Sequence, residues 1–153
     1  MTVHVAVVGA SVASEDQAAV AHRVGSELSQ AGAIVITGGG GGVMAAASQG
    51  AREAGGRVVG ILPGMDRRAA NPWVEIALAT GLGELRNGLI VRSADVVIAV
   101  GGAYGTLSEI ALALAAGTPV IGLKTWTIEG IELAASPAAA VVRALELARR
   151  LDA

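Results

Sequence analysis

Two features of the sequence predict an α/β fold with a mainly parallel sheet covered by helices on both faces. Short β-branched runs alternate with Ala-rich helical stretches from end to end, the order that right-handed βαβ crossovers produce. The chain is also 53% hydrophobic and only 16% charged. Such apolarity implies a core buried on both sheet faces, a sizeable subunit interface, or both. At 153 residues the chain is long enough to bury roughly 70% of its unfolded surface in one core. The expectation is a single Rossmann-like three-layer domain over residues 1–153. Phe is absent and aromatics make up 2%, so the core falls to Val, Ile, Leu and Ala, with helices packed closely over small side chains.

The elements follow in order. "VHVAVVG" (Val3 to Gly9) is a strand, and a helix runs from about Glu15 to Ala31. "AIVITGG" is the next strand, followed by a helix from about Gly42 to Ala54. "RVVGILPG" is the third strand; the stretch Pro63 to Thr80 is less regular, with "WVEIALA" as a short strand candidate. A helix over Leu82 to Ser93 precedes the strand "DVVIAVGG", and another helix follows Thr106 before "PVIGLK". The last helix is capped by Ser136 and opened by Pro137.

Composition excludes several classes. A net charge of −2 gives no general attraction to nucleic acid or anionic lipid, and two Trp with one Tyr make no platform for single strands. Cysteine is absent, which removes disulfides, thiolate nucleophiles and cysteine-ligated metals together. His4 and His22 lack further ligands at metal spacing, so no protein-built metal site is expected. The uncharged stretch Leu28 to Ala51 holds five consecutive glycines, which is wrong for a membrane span. The N-terminal run lacks a basic leader, and a cytoplasmic protein is expected. The apolar helices "LIVRSA" and "EIALALAAG" point to a homo-oligomer, a dimer or tetramer.

In a sheet of this kind ligands bind at the C-terminal strand ends, and three loops there carry suitable residues. The first is Gly9-Ala10-Ser11, with Gly9 and Ser11 as ligand candidates. The second is the run Gly38, Gly39, Gly40, Gly41 and Gly42, which opens a helix. Glycines there let backbone N–H groups converge on an anion at a helix N-terminus. No Gly-Lys-Ser/Thr follows, so it is not a Walker A loop, and Thr37 stands where an NAD site carries an acid. The third is "GGAYGTLSE", offering Gly101, Gly102, Tyr104, Gly105 and Thr106. Here Thr106 and Glu109 either form a Thr-x-x-Glu capping box or face a ligand. Arg86 is either a solvated arginine or a guanidinium directed at the cleft for bidentate contact with phosphate or carboxylate. Trp126 suits a pocket wall or a subunit contact, and Asp66, Arg67 and Arg68 form a charged, solvated loop.

Taken together, "TGGGGGVM", "VVGILPG", "LRN" and "DVVIAVGGAYGTLSE" resemble the LOG-like superfamily from about Val3 to Leu123. That group includes the Lonely Guy phosphoribohydrolases, often mislabelled lysine decarboxylases, and the molybdenum cofactor carrier proteins. The resemblance implies that Gly101, Gly102, Gly105 and Thr106 hold a 5′-phosphate, and that Glu109 and Arg86 match the hydrolases' catalytic carboxylate and arginine. Val100 replaces the proline of the hydrolase motif and Asn87 replaces the lysine of its Arg-Lys pair, so the chain looks more like the carrier branch. The expected function is binding of a phosphorylated nucleotide-like or pterin-type ligand, with the molybdenum cofactor or a nucleoside monophosphate as ligand and no other cofactor required. The alternative is hydrolysis of the N-glycosidic bond of a nucleoside 5′-monophosphate. Lysine decarboxylation is excluded, because the only lysine, Lys124, lacks any surrounding pyridoxal phosphate motif.

Overall fold

Unbroken runs of Val, Ile and Ala with no polar alternation form the central strands. A computed structural model describes residues 1–151. The elements are β1 (His4–Gly9), α1 (Glu15–Gln30), β2 (Ile34–Thr37), α2 (Val43–Glu53), β3 (Val58–Leu62) and β4 (Ile76–Ala79). They continue with α3 (Asn87–Arg92), β5 (Val96–Val100), α4 (Tyr104–Ala116), β6 (Val120–Leu123), β7 (Glu132–Leu133) and α5 (Pro137–Leu151). The seven strands form one sheet in the order β4-β3-β2-β1-β5-β6-β7. Every pairing in it is parallel, as the Rossmann-like expectation requires.

Successive side chains of β1 divide between two cores, because a strand points alternate residues to opposite faces. Val5 and Val7 pack with Leu28 of α1, Ala47 of α2 and Ala144 of α5. Ala6 and Val8 pack with Ile90 of α3 and Ile110 of α4. Close helix packing over small residues is most pronounced between α1 and α2. A Cβ on Gly25 would lie 2.0 Å from the Ala47 carbonyl oxygen, and one on Gly50 would lie 1.9 Å from that of His22.

Local chemistry explains most boundaries. Ser14 and Gln17 close a capping box at the start of α1, and Glu15 and Asp16 favour the same helix end. Gly117, at φ 77°, ends α4 in the left-handed conformation. Ser136 Oγ accepts from the Ala139 N–H to start α5.

Three expectations are corrected. The helix expected over Leu82 to Ser93 is a 3-10 turn, Gly83–Arg86, followed by the shorter α3, and Gly81 and Gly83 hold positive φ at its start. The helix expected after Thr106 begins two residues earlier, at Tyr104. The short strand β7 was not expected; two residues carry no periodicity.

The sheet reverses direction of growth at β1, whose neighbours are β2 and β5. Gly9 is registered against Val100, so the loops after these two strands open side by side at the switch point.

Candidate functional site

A cleft of about 320 Å³ opens at that point. Gly9, Ala10 and Ser11 from the β1 loop form one wall, with Met44 of α2 beside them. The opposite wall is Ala103, Gly105, Thr106 and Glu109, and Pro63, Glu84, Arg86 and Asn87 complete it. Of the residues singled out in the sequence, Gly9, Ser11, Arg86, Gly105, Thr106 and Glu109 are brought together around this one cavity. Gly38–Gly42 do not line it, and Gly101 and Gly102 face a separate concavity with Gln17 and Lys124. Tyr104 is 82% exposed and stacks on Trp126 with ring centroids 6.2 Å apart. Met44, Pro63, Glu84 and Asn87 were not anticipated as lining residues. Of these, Asn87 carried a signal, since it adjoins Arg86.

Close packing accounts for much of the five-glycine run. A Cβ on Gly38 would meet Arg86 Nη2 at 2.7 Å, one on Gly39 would meet Leu62 at 2.4 Å, and one on Gly42 would meet the Ala10 oxygen at 2.2 Å. These glycines bring Arg86 and the β1 loop into place rather than facing the cleft themselves.

Of the two readings of Thr106 and Glu109, the capping box does not form. Ala103 is the N-cap of α4 and no side chain caps the helix. Thr106 therefore falls inside the first turn, only 2% exposed, and its Oγ1 has no hydrogen-bond partner among the described residues. The N–H groups of Gly102 through Thr106 likewise have no acceptor there; the first bonded amide of α4 is Leu107, which donates to Ala103 O at 3.0 Å. On the cleft wall, a buried hydroxyl without a partner thus stands beside the unbonded N–H groups of Ala103, Gly105 and Thr106, an arrangement with the donors to hold an anion.

Arg86 is fixed by neutral acceptors alone. Its Nε donates to Ile61 O at 2.9 Å, Nη2 to Gly38 O at 3.4 Å, and Nη1 to Asn87 Oδ1. None of these acceptors cancels the positive charge, which stays available to the cleft. Burial lowers the pKa of Arg86, while the charges of Glu109 and Glu84 raise it.

Glu109 is 6% exposed. Burial raises its carboxyl pKa from 4.5 to about 7, and Arg86 opposes this through charge, without a hydrogen bond. Between pH 4.5 and about 7, the folded chain keeps a proton that the unfolded chain has lost. Stability therefore falls as pH rises through that window, by about 3 kcal/mol in all. Glu109→Gln is expected to remove this slope. Thermal melts of the variant and parent should diverge in the variant's favour from about pH 5 to pH 8, and a constant difference across that range would refute the assignment.

Among the described residues no cluster of three His, Cys, Asp or Glu is placed to hold a metal ion. His4 Nδ1 lies 3.2 Å from Ser93 O, and His22 pairs with Glu53 at 2.8 Å. Asp66 is bound by the neighbouring Arg68 in an exposed loop. No described helix is long and apolar enough to cross a membrane.

The chain is similar to known proteins in sequence and fold. An uncharacterized protein of Archaeoglobus fulgidus is 43% identical over 138 residues, covering 90% of this chain and 91% of its own. The structure of the molybdenum cofactor binding protein from the phototrophic bacterium Rippkaea orientalis superposes with a TM-score of 0.89 at 35% identity, over 100% of this chain and 99% of that one. The Moco carrier protein from Chlamydomonas reinhardtii gives 0.90 at 34% identity, over 98% and 99%. The model of the SLOG cluster4 family matches residues 2–149. The chain belongs to the SLOG cluster4 family, of the LOG-like superfamily.

Proposed function

We propose that the chain holds a phosphorylated nucleotide-like or pterin-type ligand in this cleft without transforming it. The observation that carries the reading is the partnerless Thr106 hydroxyl, 2% exposed, among unbonded amides at the N-terminus of α4. Among the described residues this buried polar group has no partner, and a phosphate oxygen satisfies it. Arg86 supplies the charge. The likeness to the molybdenum cofactor proteins of R. orientalis and C. reinhardtii supports that cofactor as the pterin-type ligand.

Hydrolysis of a nucleoside 5′-monophosphate is the second reading, favoured by one observation: the Glu109 carboxyl lies in the same cleft. When ionised it can stabilise positive charge developing on the ribosyl carbon. Binding is preferred because Asn87 accepts from Arg86 where the hydrolases carry a second cation, and because Glu109 is half protonated near neutral pH.

Titration calorimetry with inorganic phosphate, AMP and the molybdenum cofactor, alongside chromatography of AMP and N6-isopentenyl-AMP reactions, separates the two. Saturable binding with no free base supports the binding reading. Base release that Glu109→Gln abolishes establishes the hydrolase. Absence of both binding and turnover overturns both. Thr106→Val removes the hydroxyl while keeping the side-chain shape. It is expected to weaken phosphate binding roughly tenfold, the worth of one charge-assisted hydrogen bond. The ligand-free variant should melt no lower than the parent, since Oγ1 has no partner to lose.

The exposed Leu85 and Leu89, with Leu112 of α4, support the proposal that the chain assembles as a homo-oligomer. Light scattering that returns a monomer mass at micromolar concentration would reject it.

A further inference from the structure

The segment after β6 explains how the loop after β5 keeps its donors free. We propose that Thr125 and Trp126 are positioning residues for ligand binding, which hold the carbonyls of Gly101 and Ala103 from behind and so set the backbone that carries the cleft-wall N–H groups of Ala103, Gly105 and Thr106. This rests on the reading above that an anion sits at the N-terminus of α4.

A trans peptide points its C=O and its N–H in opposite directions. Thr125 Oγ1 donates to the Gly101 oxygen, and Trp126 Nε1 donates to the Ala103 oxygen at 3.2 Å. Fixing those two carbonyls fixes the N–H groups of Gly102 and Tyr104, which point away from the β6 side. Gly101 and Gly102 have φ of 55° and 119°. A glycine pair has several backbone rotations of similar energy, so nothing in the loop's own chemistry selects this one. For Gly101 the selection comes from the Thr125 hydroxyl; at Ala103 the Trp126 indole adds to the hold of the Leu107 N–H.

The donors are themselves held with care. Lys124, immediately before Thr125, has φ 49° and is the only non-glycine residue in the left-handed region among those described. Strain of this kind persists only where surrounding structure enforces it. Gly122 makes room for the reversal, since a Cβ there would lie 2.7 Å from Thr125 Cγ2. Trp126 stacks on Tyr104, the first residue of α4, at an interplanar angle of 27°. A strained residue, a glycine notch and two donors thus converge on the same two carbonyls.

The test uses the full chain labelled with nitrogen-15. Thr125→Val deletes one donor at constant shape, Trp126→Phe deletes the other and keeps a ring, and Thr125→Ser restores a hydroxyl. Without ligand, the Gly102 and Tyr104 amide resonances should broaden or double in Thr125→Val and return to the parent's in Thr125→Ser. Unchanged resonances in both deletion variants overturn the proposal. On titration with inorganic phosphate, Thr125→Val should bind roughly tenfold more weakly and Trp126→Phe roughly threefold, with Thr125→Ser close to the parent. A parent that binds and deletion variants that bind equally well overturn the positioning role alone. A parent whose Gly102 to Thr106 amides do not respond to phosphate overturns the underlying site reading, and with it this role.

Discussion

Arg86→Ala is expected to weaken AMP binding about 100-fold, or about 2.8 kcal/mol at 1.4 kcal/mol per decade. The reason lies in how the guanidinium is held. Its three acceptors, Ile61 O, Gly38 O and Asn87 Oδ1, carry no formal charge, so an incoming phosphate meets a cation with no carboxylate hydrogen-bonded to it. Contacts of a half-buried arginine with an anion are among the strong hydrogen bonds. Losing the side chain also strands those three acceptors and removes the charge that holds down the Glu109 pKa. Folding of the variant should be checked by melting, and Arg86→Lys provides the second arm. Lysine restores the charge but has no planar fork to reach three acceptors at once, so binding should recover only in part. Calorimetry that finds Arg86→Ala binding AMP as tightly as the parent would move the anion out of this cleft.

Gly50→Ala is expected to be the most damaging conservative change to stability. On an ordinary helix surface this substitution would gain about 1 kcal/mol in helix propensity. Here the added methyl would sit 1.9 Å from the carbonyl oxygen of His22, well inside contact distance and against backbone that cannot rotate away. Gly25 makes the reciprocal notch against Ala47, so α1 and α2 meet backbone to backbone at two points three residues apart on each helix. Either methyl wedges the pair open and leaves voids among Ala21, Val24, Ala47 and Ala51. Overpacking of this severity costs roughly 3 kcal/mol or more, for a net loss of about 2 kcal/mol. In a chain of this length that corresponds to a melting temperature lower by roughly 4–8 °C. Scanning calorimetry of Gly50→Ala and Gly25→Ala checks it. A melting temperature at or above the parent's would show that the helices can separate freely.

The parallel sheet was legible because its signals are local and repeated: β-branched runs, glycine turns and Ala-rich stretches succeed one another in the order that βαβ units impose. The position of Arg86, Glu109 and Thr106 on one cavity was legible from motif order and from the rule that strand ends at a switch point face the ligand. What the sequence concealed depends on the third dimension. A glycine run gives the same signal whether the room it makes is for a ligand or for the chain itself, and Gly38, Gly39 and Gly42 serve the chain. Thr-x-x-Glu spells a capping box only if the helix starts at the threonine. Starting at Tyr104, it turns Thr106 into a partnerless hydroxyl and buries Glu109. The β6–β7 segment had no motif at all, since its role lies in two hydrogen bonds to carbonyls more than twenty residues away.

The stacked pair at the start of α4 has a practical consequence. The chain has two tryptophans, one tyrosine and no phenylalanine, so two of its three near-ultraviolet chromophores, Tyr104 at the start of α4 and Trp126 after β6, stack on each other beside the loop after β5. Trp73 lies apart, in the segment before β4. In a Trp73→Phe background, all of the indole emission would come from Trp126, whose Nε1 donates to the Ala103 carbonyl. The intrinsic fluorescence of this protein is then an optical gauge of that loop, and occupancy of the cleft can be followed in unlabelled protein at rates that calorimetry cannot reach.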